Sequence, residues 1–254
     1  MGSKQRVAVA TLGVAAVVPF VGMTSAFAAT GDVMANLRPV ALNHVNGSGT
    51  AMVSVRGNTI DVTMAASGLL KDQPHAAHIN FGATARHECP TASDDTNGNG
   101  HLNTTEGGPA YGDIVVSLTK TGDTSPKSAL AIDRFSTAPA GRISYERGSI
   151  QVSSAVAQEI ASGKSVVVIH GVDYNRDGKY DGATKSDLAP TLPTEATDPA
   201  LCGVLAMAPA GGAATGAGGT SSGDNGLPLA LGGGLLLAAL GSGAYTVRRA
   251  RARA

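Results

Sequence analysis

Oxygen-bearing side chains between residues 95 and 106 have the composition and spacing of a calcium-binding loop. The segment reads Asp-Thr-Asn-Gly-Asn-Gly-His-Leu-Asn-Thr-Thr-Glu and fits the pattern D-x-[DN]-x-[DN]-G-x5-E at every position. In such loops, side-chain or main-chain oxygens at alternate positions and a final bidentate Glu bind Ca²⁺, and a central Gly makes the turn. The pattern therefore predicts ligands at Asp95, Asn97, Asn99, Asn103 and Glu106, with the main-chain carbonyl of His101.

The flanks of this loop predict β-structure rather than a helix on either side. Cys89-Pro90 precedes the loop and Gly107-Gly108-Pro109 follows it, and glycine and proline are the poorest helix formers. We therefore expect a calcium loop inserted in a β-domain. The alternative is a chance match in a turn rich in Asn and Gly.

A second acidic segment begins at residue 173 and repeats the first part of the pattern. It supplies candidate ligands at Asp173, Asn175, Asp177 and Asp181, but Thr184 stands where the final Glu would be. It resembles calcium loops of extracellular repeat modules, whereas Asx-Gly turns also occur in plain loops. Two matches in one chain favour calcium more than either match alone.

Histidines and cysteines form two further clusters that could bind a transition metal. The first runs from PHAAHINFG through HECP and NGNGHLN to GGPAYGD, over residues 74–113, and the second from SVVVIHGVDYN to ALCGVLA, over residues 165–206. Imidazoles suit copper in both of its oxidation states. In order and approximate spacing, the clusters resemble the copper/zinc superoxide dismutase family. They are more similar still to secreted bacterial relatives described as superoxide-dismutase-like or chordin-type (CHRD) domains.

The resemblance spans residues 31–208 and implies a degenerate metal site. His78, His101 and His170 match copper ligands of the family, and Asn80 stands where another copper histidine would be. Asp113 matches the zinc aspartate. An amide is a weak copper ligand, so the resemblance implies residual copper binding through three imidazoles.

The zinc half of the site and the substrate-guiding charge are poorer matches. Glu106 stands at one zinc-histidine position, and either Ala110 or Tyr111 stands at another, so zinc is not expected. Residues 198–201 lack the arginine that guides superoxide in the family, and its loss removes attraction of the anion. The resemblance therefore implies metal binding without efficient dismutation.

The chain has only two cysteines, Cys89 and Cys202. Two cysteines in an exported chain fit one disulfide rather than a thiol active site. The resemblance implies that these two are paired.

Alternating apolar and polar residues predict an all-β domain. Residues 51–56 and 59–64 alternate around Gly57-Asn58, which predicts a hairpin. Further short strands are predicted at 76–81, 113–118, 141–145, 149–152 and 165–169, with one helix at 153–162. Many short strands between turns are typical of a sandwich or barrel. The resemblance implies a Greek-key β-barrel or sandwich of the superoxide-dismutase-like type, with long loops.

The two ends of the chain predict export and anchoring in a membrane. Residues 1–28 have a basic start, an apolar stretch and an Ala-Phe-Ala cleavage signal, as in a secretory signal peptide. The β-domain follows at 29–208, and a linker rich in Gly, Ala and Ser at 209–226. Residues 227–247 are long and apolar enough for a transmembrane helix, and the arginine-rich tail at 248–254 predicts a cytoplasmic C-terminus.

Charge and motif content narrow the possible functions. Six of the 19 basic residues lie in the signal peptide and the tail, which leaves 13 against 19 acidic residues and a net charge of about −6 between them. That charge favours cations and excludes a nucleic-acid partner. Three hypotheses follow: a superoxide-dismutase-like domain that binds metal without efficient catalysis, a calcium-stabilised cell-surface or adhesion module, and an active copper-dependent dismutase with a rebuilt site.

Overall fold

The structure, a computed structural model, describes residues 29–208, which form antiparallel β-structure with three short α-helices. The helices are α1 (Thr104–Tyr111), α2 (Ser154–Ala161) and α3 (Thr194–Thr197). The strands, in chain order, are β1 (Thr30–Pro39), β2 (Ser48–Arg56), β3 (Thr59–Ser67), β4 (Pro74–His75), β5 (Ala77–Phe81), β6 (Asp113–Ser117), β7 (Ser136–Thr137), β8 (Arg142–Gln151), β9 (Val166–His170), β10 (Pro199–Val204) and β11 (Ala206–Met207). The prediction of an all-β fold is confirmed for these residues.

The main sheet curls into a half-barrel. Its strand order is β6-β5-β9-β10-β1-β2-β3-β8, β11 pairs with β1, and β4 and β7 form a separate small sheet. The two edge strands, β6 and β8, are joined through side chains. From β8, the Tyr145 hydroxyl and the Arg147 guanidinium donate to the carbonyl of Thr119, just beyond β6, at 3.2 and 2.6 Å. Arg147 also donates to the Thr119 hydroxyl and the Gly122 carbonyl.

We expect the Arg147 bridge to stabilise the open side of the half-barrel. Hydrogen bonds to charged groups contribute about 1.5–3 kcal/mol each, and part of that is lost to solvent because Arg147 is half-buried. Arg147→Met, which keeps the apolar stem, should lower the free energy of unfolding in urea by about 1–3 kcal/mol. Arg142→Met on the exposed part of the same strand is the matched control. Equal stability of the two variants would contradict a closing role.

The predicted hairpin between β2 and β3 is confirmed. Arg56 pairs with Thr59, so Gly57 and Asn58 form a two-residue turn, and Gly57 has a φ of 64° that glycine adopts without strain. The segments expected at 141–145 and 149–152 are parts of the single strand β8. A register shift opposite Ile60 and Val62 accommodates the interruption between them.

Two apolar layers cover the two faces of the sheet around β9. Val167 and Ile169 point into the main core, together with side chains of β1, β2, β3 and β5. Val166 and Val168 point to the opposite face, where they pack with Leu102 and Tyr111 of the long segment that follows β5. Both faces of β9 are therefore buried, which agrees with its uninterrupted apolar sequence.

A disulfide holds the long segment after β5 against the sheet. Cys89 and Cys202 are bonded, 113 residues apart in the chain, and Cys202 lies on β10. The pairing that the resemblance implied is confirmed. The bond ties the segment carrying the first predicted calcium loop to the centre of the sheet.

The structure confirms one helix prediction and corrects another. Helix α2 forms where expected, and the Ser153 hydroxyl caps it by accepting from the Val156 N–H at 3.2 Å. The expectation that no helix follows the first loop is wrong, because α1 contains the Gly-Gly-Pro segment. Packing outweighs poor propensity here: the Tyr111 ring lies directly against Gly107, where any side chain would collide with it.

The predicted signal peptide (1–28), linker (209–226), transmembrane helix (227–247) and basic tail (248–254) lie outside the described residues. Within residues 29–208, none of the helices has the length and hydropathy that crossing a membrane requires.

Candidate functional site

The two predicted calcium loops lie side by side around one cavity of about 500 Å³. Asn97, Asn99, His101 and Asn103 line it from the first loop, and Tyr174, Asn175 and Asp181 line it from the second. The cavity is also lined by Asp187, Glu195 and Asp198. Segments that are about 70 residues apart in the sequence therefore contribute oxygen atoms to one space.

The first loop winds around the carboxylate of Asp95. That carboxylate accepts main-chain N–H groups of Gly98, Asn99 and Gly100 at 2.8–3.2 Å. The side-chain oxygen of Asn97 accepts from the Asn99 N–H at 3.0 Å. These bonds make consecutive turns around Asp95, in which Gly98 and Gly100 have positive φ.

Glu106 closes the first loop from helix α1. Its Oε1 accepts from the N–H of Thr96 at 3.1 Å and its Oε2 from the N–H of Asn103 at 3.1 Å. In return, the Asn103 side chain accepts from the Glu106 N–H at 2.9 Å, so the two residues form a capping box. Glu106 is only 7% exposed. Glu106, the last predicted ligand, therefore bonds the main chain at positions 2 and 9 of its own loop.

The second loop is wound in the same manner around Asp173. Its carboxylate accepts the N–H groups of Asp177 and Gly178 at 3.2 and 3.0 Å. The side-chain oxygens of Asn175 and Asp177 accept from main-chain N–H groups two residues further on, at 3.1 and 3.0 Å. Asn175 also donates to Asp181 at 3.1 Å. All four predicted side chains of this loop are thus drawn into one hydrogen-bonded turn.

Glu195 closes the second loop, and the sequence interpretation missed it. Its Oε1 accepts from the Tyr174 N–H at 2.8 Å and its Oε2 from the Asp181 N–H at 2.9 Å. These are positions 2 and 9 of the second loop, the positions that Glu106 bonds in the first. Glu195 lies in α3 and is 4% exposed. No spacing rule could find it, because the contiguous pattern ends at Thr184 and the carboxylate arrives from a later helix.

Asp198 adds a buried carboxyl to the same cavity. It accepts from the Tyr174 hydroxyl and the Thr194 hydroxyl at 2.9 Å each. Burial raises its pKa to about 7, the two hydrogen bonds oppose that rise, and the nearby carboxylates Asp187 and Glu106 add to it. A cation in this cavity would favour the charged form of Asp198 and lower its pKa.

The predicted copper ligands His78 and His170 meet at a different cavity. They lie on the neighbouring strands β5 and β9 with ring centroids 5.1 Å apart. Together with Asn80 and Asp113, they line a cavity of about 310 Å³ on the outer face of the sheet. His101 instead lines the cavity of the two loops, where its ring centroid is 3.9 Å from that of Tyr174. The structure therefore brings two of the three predicted copper imidazoles together.

Hydrogen bonds define which nitrogens of these two histidines carry protons. His78 Nε2 lies 3.1 Å from the Ala129 carbonyl and His170 Nδ1 lies 2.6 Å from the Thr197 carbonyl. A carbonyl only accepts, so these nitrogens donate and leave His78 Nδ1 and His170 Nε2 unprotonated. His78 Nδ1 is buried without a hydrogen-bond partner among the described residues. Desolvation lowers the pKa of His78 well below its ordinary value and that of His170 to about 4, so both rings are neutral at pH 7.

Asn80 lies on the same face of β5 as His78. In the register of β5 with β9, His78 is opposite Val168 and Asn80 is opposite Val166, so both side chains leave the sheet on its outer side. Asn80 is buried and its amide lies 3.5 Å from the Val166 carbonyl. Across residues 29–208, no three or more His, Cys, Asp or Glu side chains form a group that could hold a metal ion. Copper and calcium therefore stay predictions.

Three buried histidines should make the fold sensitive to acid. Burial lowers the pKa values of His75, His78 and His170 in the folded state, so the unfolded chain binds more protons once the pH falls below about 6.5. Stability is present above that pH and is lost as the pH falls towards 4. Asp198 acts in the opposite direction, because its raised pKa lets the folded state take up a proton between pH 7 and 4.

We therefore expect the free energy of unfolding, measured in urea without added metal, to fall between about pH 6.5 and 4.5. The fall is up to about 1.4 kcal/mol per pH unit for each proton that the unfolded chain binds and the folded chain does not. Asp198→Asn, which removes the opposing group, should make the fall steeper. A free energy of unfolding that does not change with pH in that variant would contradict the lowered pKa values of the three histidines.

No family model matches the chain, and no curated protein matches it significantly.

Proposed function

We propose that the chain is an exported, membrane-anchored β-domain of the superoxide-dismutase-like Greek-key type that binds calcium through its two acidic loops and does not dismutate superoxide efficiently. The observation that carries the proposal is the shared closure of the two loops. In both, a buried glutamate accepts the main-chain N–H groups of positions 2 and 9.

The donor atoms of the loops fit calcium better than a transition metal. Calcium takes oxygen ligands in flexible geometry, and the loops offer carboxylates, amides and main-chain carbonyls. The first loop has two carboxylates, Asp95 and Glu106, and its other candidate ligands are amides or the His101 carbonyl. A site of that composition depends on amide and main-chain oxygens as much as on acidic side chains.

The calcium proposal is tested on the full chain in detergent. After removal of metal with a chelator and dialysis against millimolar CaCl₂, elemental analysis should find two calcium ions per chain. The melting temperature should rise with calcium concentration, because an ion that binds only the folded state stabilises it. Neither retained calcium nor a thermal shift at millimolar concentration would overturn the proposal.

Residual copper binding at His78 and His170 is a second candidate, supported by the proximity of the two rings, whose centroids are 5.1 Å apart, beside one cavity. Neutral imidazole is a good copper ligand, and Asp113 also lines that cavity. Copper stoichiometry should then fall in His78→Ala and in His170→Ala. His101→Ala reports whether His101 takes part, since it lines the other cavity.

An active copper-dependent dismutase is the remaining alternative. It requires superoxide consumption by the copper-loaded chain well above that of free copper under the same chelation. The arginine that guides superoxide in the resembled family is absent from residues 198–201. Its absence supports a domain that does not dismutate superoxide efficiently.

A further inference from the structure

The outer-face cavity next to His78 and His170 has the properties of a small-molecule site. Its volume of about 310 Å³ is at the lower end of the range for ligand pockets. An apolar cavity of about 150 Å³ already holds benzene. This cavity is therefore large enough for a fused two-ring molecule.

Most of the wall is apolar, although the exposed Asp113 also lines the cavity. Ile114 and the Tyr111 ring form part of the wall. Leu130 and Leu188, which also line it, are 41% and 45% exposed and are among the few large apolar side chains on the described surface. An apolar ligand entering here would cover surface that otherwise faces water, which the hydrophobic effect favours.

The polar atoms that line the cavity favour a neutral ligand that donates a hydrogen bond. His78 and His170 each donate one ring nitrogen to a carbonyl, which leaves the other nitrogen as an acceptor. Nδ1 of His78 is enclosed by protein atoms, so Nε2 of His170 is the acceptor that the cavity offers to a ligand. No Lys or Arg is among the described residues that line the cavity, so an anionic ligand would lack a counter-charge.

From these observations we propose that the cavity binds a small, uncharged aromatic molecule that carries one hydroxyl donor, of the size of a naphthol, with its hydroxyl bonded to Nε2 of His170. Within the described part of the chain, this cavity shares no lining residue with the cavity of the two acidic loops. It goes beyond the calcium function and does not depend on it.

The test uses 2-naphthol and 2-methoxynaphthalene with the metal-free full chain in detergent. The chain has no tryptophan, so the fluorescence of either probe, excited at a wavelength that tyrosine does not absorb, can be followed without protein emission. Binding to detergent alone is subtracted with micelles that contain no protein. We expect saturable binding of 2-naphthol and at least tenfold weaker binding of 2-methoxynaphthalene, which has the same rings but no donor.

Variants locate the site. His170→Phe keeps a ring of similar size without the acceptor, and should weaken 2-naphthol about tenfold while leaving 2-methoxynaphthalene unchanged. His44→Phe is the matched control at an exposed histidine outside this cavity, and should leave both affinities unchanged. If His170→Phe does not fold, the comparison of the two probes on the unmodified chain still decides.

Three results would overturn the proposal. The first is no saturable binding of 2-naphthol up to its solubility limit. The second is equal affinity for the two probes, which would mean that no donor is recognised. The third is binding of 2-naphthol only when copper is supplied, which would make the cavity a metal site. None of these results bears on calcium binding, which elemental analysis measures independently.

Discussion

Loss of the Cys89–Cys202 disulfide is expected to lower the free energy of unfolding by about 5 kcal/mol. The bond joins residues 113 apart, and in the chain-entropy model a loop of that length restricts the unfolded ensemble by about this amount. Cys89→Ala with Cys202→Ala removes the bond, and urea unfolding at pH 7 measures the effect.

The reduced, unmodified chain is the matched control, because it loses the covalent bond and keeps both sulfur atoms. Cys202 is buried in the outer apolar layer, so the alanine variant should be less stable than the reduced chain by only the cost of a small cavity. A loss below about 1 kcal/mol in the reduced chain would mean that the unfolded state is already compact around these residues.

The second large effect is expected from Glu106→Gln and Glu195→Gln. At a calcium concentration of about 100 times Kd, one site stabilises the folded state by about 2.7 kcal/mol, so two independent sites contribute about 5 kcal/mol. Each glutamine keeps the shape of the side chain and removes the charge and one ligand oxygen. The double variant should lose the calcium-dependent part of its stability.

The change in melting temperature on adding calcium is the measurement, rather than the melting temperature itself. Both glutamates accept main-chain N–H groups, so either substitution also lowers stability without calcium. Glu195→Gln alone should reduce the calcium content from two ions to one. Glu146→Gln, at an exposed position on β8, is the control and should retain both. Two ions in the Glu195→Gln variant would exclude Glu195 as a ligand of the second loop.

Local patterns predicted the parts of this fold that depend on neighbours in the chain. The hairpin at Gly57-Asn58 and the helix at 153–162 both form, because turn geometry and a helix cap are decided by a few adjacent residues. The winding of each acidic loop around its first aspartate is of the same kind.

Features that depend on distant residues could not be predicted in this way. Helix α1 forms despite its glycines and proline, since Tyr111 packs over Gly107 and into the outer apolar layer. The strands β1 and β10 pair across most of the sequence and were not expected from their local composition. The order of the histidines in the chain groups His101 with His78 and His170. The structure separates it from them, because the loop that carries it packs against Tyr174.

The different origins of Glu106 and Glu195 affect the order in which the two loops assemble during folding. Only 10 residues separate Thr96 from Glu106, whereas 21 separate Tyr174 from Glu195. Doubling the length of a closing segment costs about 0.6 kcal/mol more in chain entropy, and α3 must dock before Glu195 reaches its place. The first loop is therefore closed by its own continuous sequence, at a lower entropy cost. The second is complete only when α3 is in place, so a calcium ion bound there would report that α3 has docked.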